Sequence, residues 1–166
     1  MACRYIVATE KDLDMLVQMR IEFVKDLHPE YDEKKIESIR TGTQAYIHGQ
    51  AATGSYVGFL GLDIDACGDS AISSETIACT GAFLVYTLPP LHGQEGRKIG
   101  HVLNFYTRKD FRRKGYGRDL MAFMMVYAKE HGFSRLFLNA TEDGAPLYRK
   151  AGYQEVKDAM AYEIES

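Results

Sequence analysis

Six of the chain's twenty Lys and Arg residues fall within Arg108–Arg118, written RKDFRRKGYGR, with a single acid among them. The local charge is +5 in a protein of net charge −3, so the remainder carries −8. Within this run, Arg112-Arg113-Lys114-Gly115-Tyr116-Gly117 stands between an apolar, β-rich stretch and an amphipathic one. At a strand-to-helix junction the first helical N–H groups lack intrahelical acceptors and point outward together. With the positive end of the helix dipole they form a seat for a phosphate. Gly115 and Gly117 remove side chains that would hold an anion off the backbone, and they accept unusual dihedrals. Arg112, Arg113, Lys114 and Arg118 add charge around it.

Two better-known phosphate motifs are excluded. No Gly-x-x-x-x-Gly-Lys-[Ser/Thr] string occurs. The dinucleotide fingerprint fails at Leu120, where a third glycine is required, and the run lies too late in the chain. A Gly-x-Gly turn alone reads equally well as a tight turn with solvated charges, so its neighbours must decide.

The elements around it follow from periodicity. Arg4–Ala8 reads as a strand. Thr9 with Asp12 three residues on gives a capping-box pattern for a first helix. Leu13, Leu16, Val17, Val24 and Leu27 lie on one face of it, with Ile21 and Phe23 at the edges. That helix stops near His28-Pro29, because the residue before proline disfavours helical geometry. A second helix, capped by Asp32, is expected over about Glu33–Tyr46. Tyr56–Ile64, Glu75–Thr87 and Lys98–Thr107 are β-rich and separated by turn residues, Cys67-Gly68-Asp69-Ser70 and Pro89-Pro90 with Gly93 and Gly96, which predicts an antiparallel meander. A helix over about Gly117–His131 ends at Gly132, and Met121, Met124 and Met125 on it read as core or near-core packing. Ser134–Asn139 reads as a strand, Thr141 caps a last helix with Glu142 and Asp143 in its first turn, and Gly152 ends it. Short strands near Tyr153–Val156 and Met160–Ile164 close the chain. The class is α+β: a mostly antiparallel sheet of about seven strands flanked by about four helices, in one domain over residues 1–166.

Composition agrees with such a domain and narrows the function classes. Hydrophobic residues make up 46% and charged residues 26%, and a chain of this length buries roughly 70% of its unfolded surface without needing a metal or disulfide. The three cysteines, Cys3, Cys67 and Cys79, show no Cys-x-x-Cys spacing, and the five histidines add no ligand pattern, so no metal site is expected. No apolar run approaches the ~20 residues of a membrane span, and the N-terminus does not read as a signal peptide; a cytoplasmic, soluble protein is the expectation. The net charge of −3 does not suit a polyanion binder, and the single basic cluster has no recognition motif beside it, so nucleic acid is not expected as a partner.

About thirty residues downstream of the basic turn comes Leu147-Tyr148-Arg149-Lys150-Ala151-Gly152-Tyr153. The order strand, Arg-x-x-Gly-x-Gly, helix, strand, then Leu-Tyr-x-x-x-Gly-aromatic resembles the GNAT superfamily of N-acetyltransferases. Thr141-Glu142-Asp143-Gly144 is similar to the family's Ser-x-x-Gly helix start. The motif similarity covers about residues 99–156, and the preceding elements come in the family's order. The resemblance implies an acetyl-CoA-dependent N-acetyltransferase. Phe105, Tyr106 and Thr107 would lie at the end of a fourth strand that splays from its neighbour and pairs with pantetheine amides, a backbone N–H there holding the thioester carbonyl. Arg112, Arg113, Lys114, Gly115, Tyr116, Gly117 and Arg118 would wrap the pyrophosphate, largely through main-chain N–H groups. Asn139 would contact pantetheine or the acceptor, and Tyr148 would protonate the departing coenzyme A thiolate.

Departures from the family pattern also matter. Lys109 stands where many relatives have proline. The strand His101-Val102-Leu103-Asn104-Phe105-Tyr106 carries no carboxylate, where some relatives place a general base. Glu22, Asp26, Glu30, His101 and Glu142 are the remaining candidates for a base, each with a blander reading as a surface or capping residue, and a water chain is an equal alternative. Tyr56, Tyr86 and Tyr106 either line an acceptor cleft or simply half-fill strands. The stretch Ala51–Gly96 has five acids and no Lys or Arg, which would suit a cationic acceptor. The acceptor class stays open between a small amine, an amino acid or antibiotic, and a peptide or protein amine. A catalytically silent acetyl-CoA-binding sensor of the same fold is the alternative function. Relatives often form homodimers, sometimes through their last strands; this sequence is silent on that point.

Overall fold

The computed structural model describes residues 3–64, 73–90, 96–142 and 144–156. Five strands, β1 (Cys3–Val7), β2 (Tyr56–Asp63), β3 (Ile77–Leu88), β4 (Arg97–Thr107) and β5 (Phe133–Phe137), form one sheet in that spatial order. β1 to β4 are antiparallel neighbours, and β5 joins parallel to β4. The helices are α1 (Leu13–Leu27), α2 (Glu33–Ala52), α3 (Tyr116–Glu130) and α4 (Ala145–Lys150). The α+β class and the antiparallel meander are as expected. Of the two last predicted strands, 153–156 has no regular structure and 160–164 lies outside the described residues, as do the turn at 67–70 and Gly93.

The local grammar of the sequence explains most boundaries. The Asp12 carboxylate accepts from the Thr9 N–H at 2.8 Å and from its hydroxyl at 2.7 Å, closing the turn of 3₁₀ helix Glu10–Asp12 that leads into α1. Asp32 caps α2 by accepting from the Lys35 N–H at 2.8 Å. α2 runs six residues past the expected Tyr46, through Gly49, and ends where Gly54 takes φ +71° just beyond Thr53. Gly132, at φ +70°, turns the chain out of α3 as expected.

Strand alternation divides the core between the two faces of the sheet. Leu60 and Tyr106 face α1 and α2, where Leu16, Val17, Met19 and Ile47 cover them. Phe59 and Phe83 face the opposite way, beneath Leu120, Met121 and Met124 of α3. Ile21, Val24 and Ile36 join α1 to α2 in a third cluster, so Ile21 is core and not edge, whereas Leu27, the last residue of α1, is 56% exposed. Met125 likewise points to solvent while its neighbour Met124 is fully buried, since α3 covers the sheet with one face only. Cys79 is buried and Cys3 partly so, both as free thiols. Among the described residues, no helix is long and apolar enough to cross a membrane.

Two irregularities in β4 give the sheet its working shape. Against β3, Thr80 pairs with Tyr106 but Ala82 pairs with Leu103, so β4 carries one extra residue, a bulge, around Asn104. Asn104 takes φ +52°, a left-handed conformation that asparagine tolerates better than most residues. On the other side, the parallel ladder to β5 ends at His101 with Phe137. Residues 102–107 therefore continue past the end of β5 without a partner on that side.

Candidate active site

The basic turn lies where β4 passes into α3. A short 3₁₀ turn, Lys109–Phe111, leads to Arg113 at φ +60° and Gly115 at φ +94°, and α3 begins at Tyr116. Gly115 accepts the Asp119 N–H at 3.0 Å, closing the first helical turn. Among the described residues, the N–H groups of Arg113, Lys114, Gly115, Gly117 and Arg118 have no acceptor. This row of unpaired donors at a helix N-terminus can cradle an anion. Gly117 serves differently: a Cβ there would stand 3.1 Å from the Thr107 hydroxyl oxygen and 3.6 Å from the Phe105 ring, so glycine lets α3 seat closely on β4.

Side chains of the turn are less available than their number suggests. Arg108 grips both Glu22 carboxylate oxygens, at 2.5 and 2.6 Å, and donates to the Ile77 carbonyl at 2.8 Å. Asp26 collects Lys109 at 2.9 Å, Arg112 at 3.0 Å and the Tyr106 hydroxyl at 2.8 Å. Arg112 Nε also donates to the Thr107 carbonyl at 2.9 Å, and Arg118 pairs with Asp119 at 2.7 Å. Burial works to raise the Asp26 pKa, but hydrogen bonds from Lys109 and Tyr106 and the charges of Lys109 and Arg112 outweigh it, so the carboxyl is held below its ordinary value. Burial, then the hydrogen bond to Asp26, pushes the Tyr106 phenol up. Arg113 and Lys114 are the two cations of the run with no carboxylate partner among the described residues; Lys114 lies 5.6 Å from the centre of the Phe111 ring. The Tyr116 ring is buried against Phe111, so it serves as an anchor in the core and leaves only its main chain to the turn.

Tyr148 sits on α4 below a tight turn in which the Ala145 N–H donates to the Thr141 carbonyl at 2.9 Å and the Gly144 N–H to the Thr141 hydroxyl oxygen at 3.2 Å. Thr141 is thus a cap, but regular helix begins four residues after it, so Glu142 precedes the helix instead of occupying its first turn. The Tyr148 ring meets Phe105 edge-on at 5.9 Å and Tyr153 at 5.9 Å. Burial raises its pKa, so the phenol is protonated at neutral pH. Its hydroxyl has no hydrogen-bond partner among the described residues. The Tyr153 hydroxyl, by contrast, reaches Met121 Sδ at 3.7 Å. Phe105 touches both halves of the expected site: its ring lies beside Gly117 of the anion turn on one side and Tyr148 on the other.

The remaining expectations fare unevenly. Asn139 is exposed just past the end of β5. Glu22 and Asp26 are engaged in the ion pairs above, and Glu30 is exposed beside His28 at 3.1 Å. His101 lies in the middle of the sheet, between Leu84 and Phe137. Tyr56 is buried and Tyr86 exposed.

Two residues outside the sequence motifs stand out. Asn104 at the bulge donates from Nδ2 to the Tyr56 hydroxyl at 3.2 Å, and it lines a cavity of about 400 Å³ together with Arg20. An asparagine in mid-strand is itself a signal of broken pairing, because the residue is depleted in strands. Arg20 carries no comparable signal on a helix already rich in polar residues.

The fold has counterparts among solved structures. A predicted acetyltransferase with acetyl-CoA from Clostridium acetobutylicum is 21% identical, with 98% of this chain and 96% of that chain covered and a TM-score of 0.76. A GCN5-related N-acetyltransferase from Ralstonia eutropha JMP134 is 22% identical over 98% of this chain and 99% of that chain, with a TM-score of 0.74. At such identities the likeness speaks for the fold. No curated protein matches the chain in sequence. The profile of the acetyltransferase (GNAT) family, however, matches residues 14–153, taking in α1, the β4 bulge, the anion turn and Tyr148 alike, and so the chain belongs to the GNAT family of acetyltransferases.

Proposed function

We propose that this acetyltransferase moves the acetyl group of acetyl-CoA to a primary amine by direct attack, with Tyr148 as the general acid. The observation that carries this reading is the position of Phe105, whose ring bridges the anion turn at Gly117 and the Tyr148 phenol. The turn would take the pyrophosphate on the N–H groups of Arg113, Lys114, Gly115, Gly117 and Arg118, with Arg113 and Lys114 supplying uncommitted charge. The pantetheine arm would lie along the part of β4 that runs past the end of β5, and main-chain N–H groups near Phe105–Thr107 would hold the thioester carbonyl oxygen as it gains negative charge. The amine nitrogen attacks the carbonyl carbon, the C–S bond breaks, and the thiolate takes the Tyr148 proton. The amine gives up its proton to water, and the phenolate recovers one from solvent.

Charge also supports a single localised anion. Four of the six cations in the basic run are committed to carboxylates, which leaves little for a nucleic acid and suits one pyrophosphate.

The test is thiol release from acetyl-CoA in the presence of small amines, amino acids, aminoglycosides and short peptides. Acceptor-dependent release is expected. Calorimetric binding of acetyl-CoA without release on any acceptor would overturn the catalytic reading in favour of a sensor.

A further inference from the structure

The cavity of about 400 Å³ beside the β4 bulge is lined by α1, α2 and β4. Its walls include Leu103 and Ile47, and its polar groups are Arg20, Thr43, Tyr46 and Asn104. No carboxylate lines it. Arg20 is half-buried, and among the described residues its guanidinium forms no hydrogen bond and no ion pair; it lies 5.2 Å from the centre of the Phe23 ring and interacts electrostatically with the Tyr56 phenol. Every other arginine of α1, α2 and the anion turn except Arg113 has a carboxylate within reach. A guanidinium partly withdrawn from water without an anion is costly unless a ligand completes it.

Asn104 supplies the opposite polarity. Its Nδ2 is committed to the Tyr56 hydroxyl at 3.2 Å, which leaves the carbonyl oxygen Oδ1 without a partner among the described residues. Asn104 directly precedes Phe105, the residue that meets the Tyr148 ring. Gly42 of α2 also lines the cavity, and a Cβ there would meet nothing within 4 Å. Glycine in a helix interior costs stability relative to alanine, and packing gives no reason for it here, so the space it leaves is available to a ligand.

We infer that the acceptor is a small primary amine bearing an anionic group, carboxylate or phosphate, with the anion held by Arg20 and the amine by Asn104 Oδ1. This rests on the acetyl-transfer reading above and deepens it. A bidentate guanidinium fixes the far end of such a molecule, and the asparagine carbonyl accepts from its N–H on the side facing the thioester. A cationic acceptor, which the stretch Ala51–Gly96 lacking Lys and Arg would suit, finds no carboxylate in this cavity.

Matched pairs of acceptors give the test: L-amino acids against their carboxamides, and O-phosphoethanolamine against ethanolamine, with spermidine as a cationic control. Thiol release should favour the anionic member of at least one pair by tenfold or more, and which pair responds separates carboxylate from phosphate. Arg20→Gln should cut kcat/KM for that member about 10–100-fold, leave the neutral member and acetyl-CoA affinity unchanged, and be partly rescued by Arg20→Lys. Equal use of both members, an unchanged preference in Arg20→Gln, or release with spermidine alone would overturn the proposal while acetyl transfer stands. If no compound is acetylated, the same pairs are titrated calorimetrically in the presence of coenzyme A. Binding of an anionic member that is lost in Arg20→Gln upholds the proposal, and binding of none overturns it. Failure of the wild-type protein to bind acetyl-CoA would instead overturn the acetyl-transfer reading itself.

Discussion

Burial acts oppositely on what a phenol can and cannot do: it raises the pKa of Tyr148, which suits a proton donor to a thiolate and disqualifies a base at neutral pH. Two of the candidate carboxylates are already engaged and so not free for the complementary task. Glu22 and Asp26 are held in ion pairs with the basic run, and β4 offers Asn104 where a base would be useful. Gly115 is the residue on which the anion turn depends most directly. At φ +94° a side chain is strained even though its Cβ would meet only the side chains of Arg118, at 3.4 Å, and Asp119, at 3.7 Å. Gly115→Ala is expected to cost about 1–2 kcal/mol of stability and to weaken acetyl-CoA binding. Gly115→Asn should recover part of both, because asparagine tolerates left-handed backbone. Thermal melts with calorimetry on the two variants decide this; equal, negligible losses would show that the turn does not require that conformation.

At the scale of elements, α1 and the β4–α3 junction are fastened together by Glu22 and Asp26, 86 residues away in sequence from Arg108 and Arg112. This fastening was not legible in the sequence: charge periodicity reports which face of α1 is polar, not which distant cation it will meet. The cations of the turn therefore read as ligands for phosphate when most of them are braces. Asp26→Asn is expected to lower stability at pH 7 by about 1–2 kcal/mol, less than for a fully buried pair because solvent screens it. Since the native Asp26 pKa is lowered, its contribution is full above about pH 4, the ordinary aspartate value, and is lost as pH falls through the lower native value. Denaturant melts at pH 7 and at a series of pH values below about 4 should show the wild-type advantage shrinking as the pH falls. The boundaries that capping chemistry controls, at Thr9, Asp32 and Gly132, were readable. The start of α4 was not, because Thr141 closes a turn before helix forms.

For the whole molecule, two helical layers on opposite faces of one sheet leave the middle of β4 as the place where everything meets. Its bulge turns Asn104 toward the α1–α2 side, and beyond His101 its other edge has no β5 partner. The meander, the anion turn and the Leu-Tyr-x-x-x-Gly segment were legible because each is written in local spacing. The Arg20 cavity was not, because it exists only once α1, α2 and β4 are assembled. The central claim is that one cluster joins the coenzyme turn to a catalytic phenol, and Tyr148→Phe tests it most directly. With an accepted amine, kcat should fall by about 10²–10⁴-fold, the usual worth of general acid catalysis, while the calorimetric Kd for acetyl-CoA stays unchanged. An unaltered kcat would contradict the account.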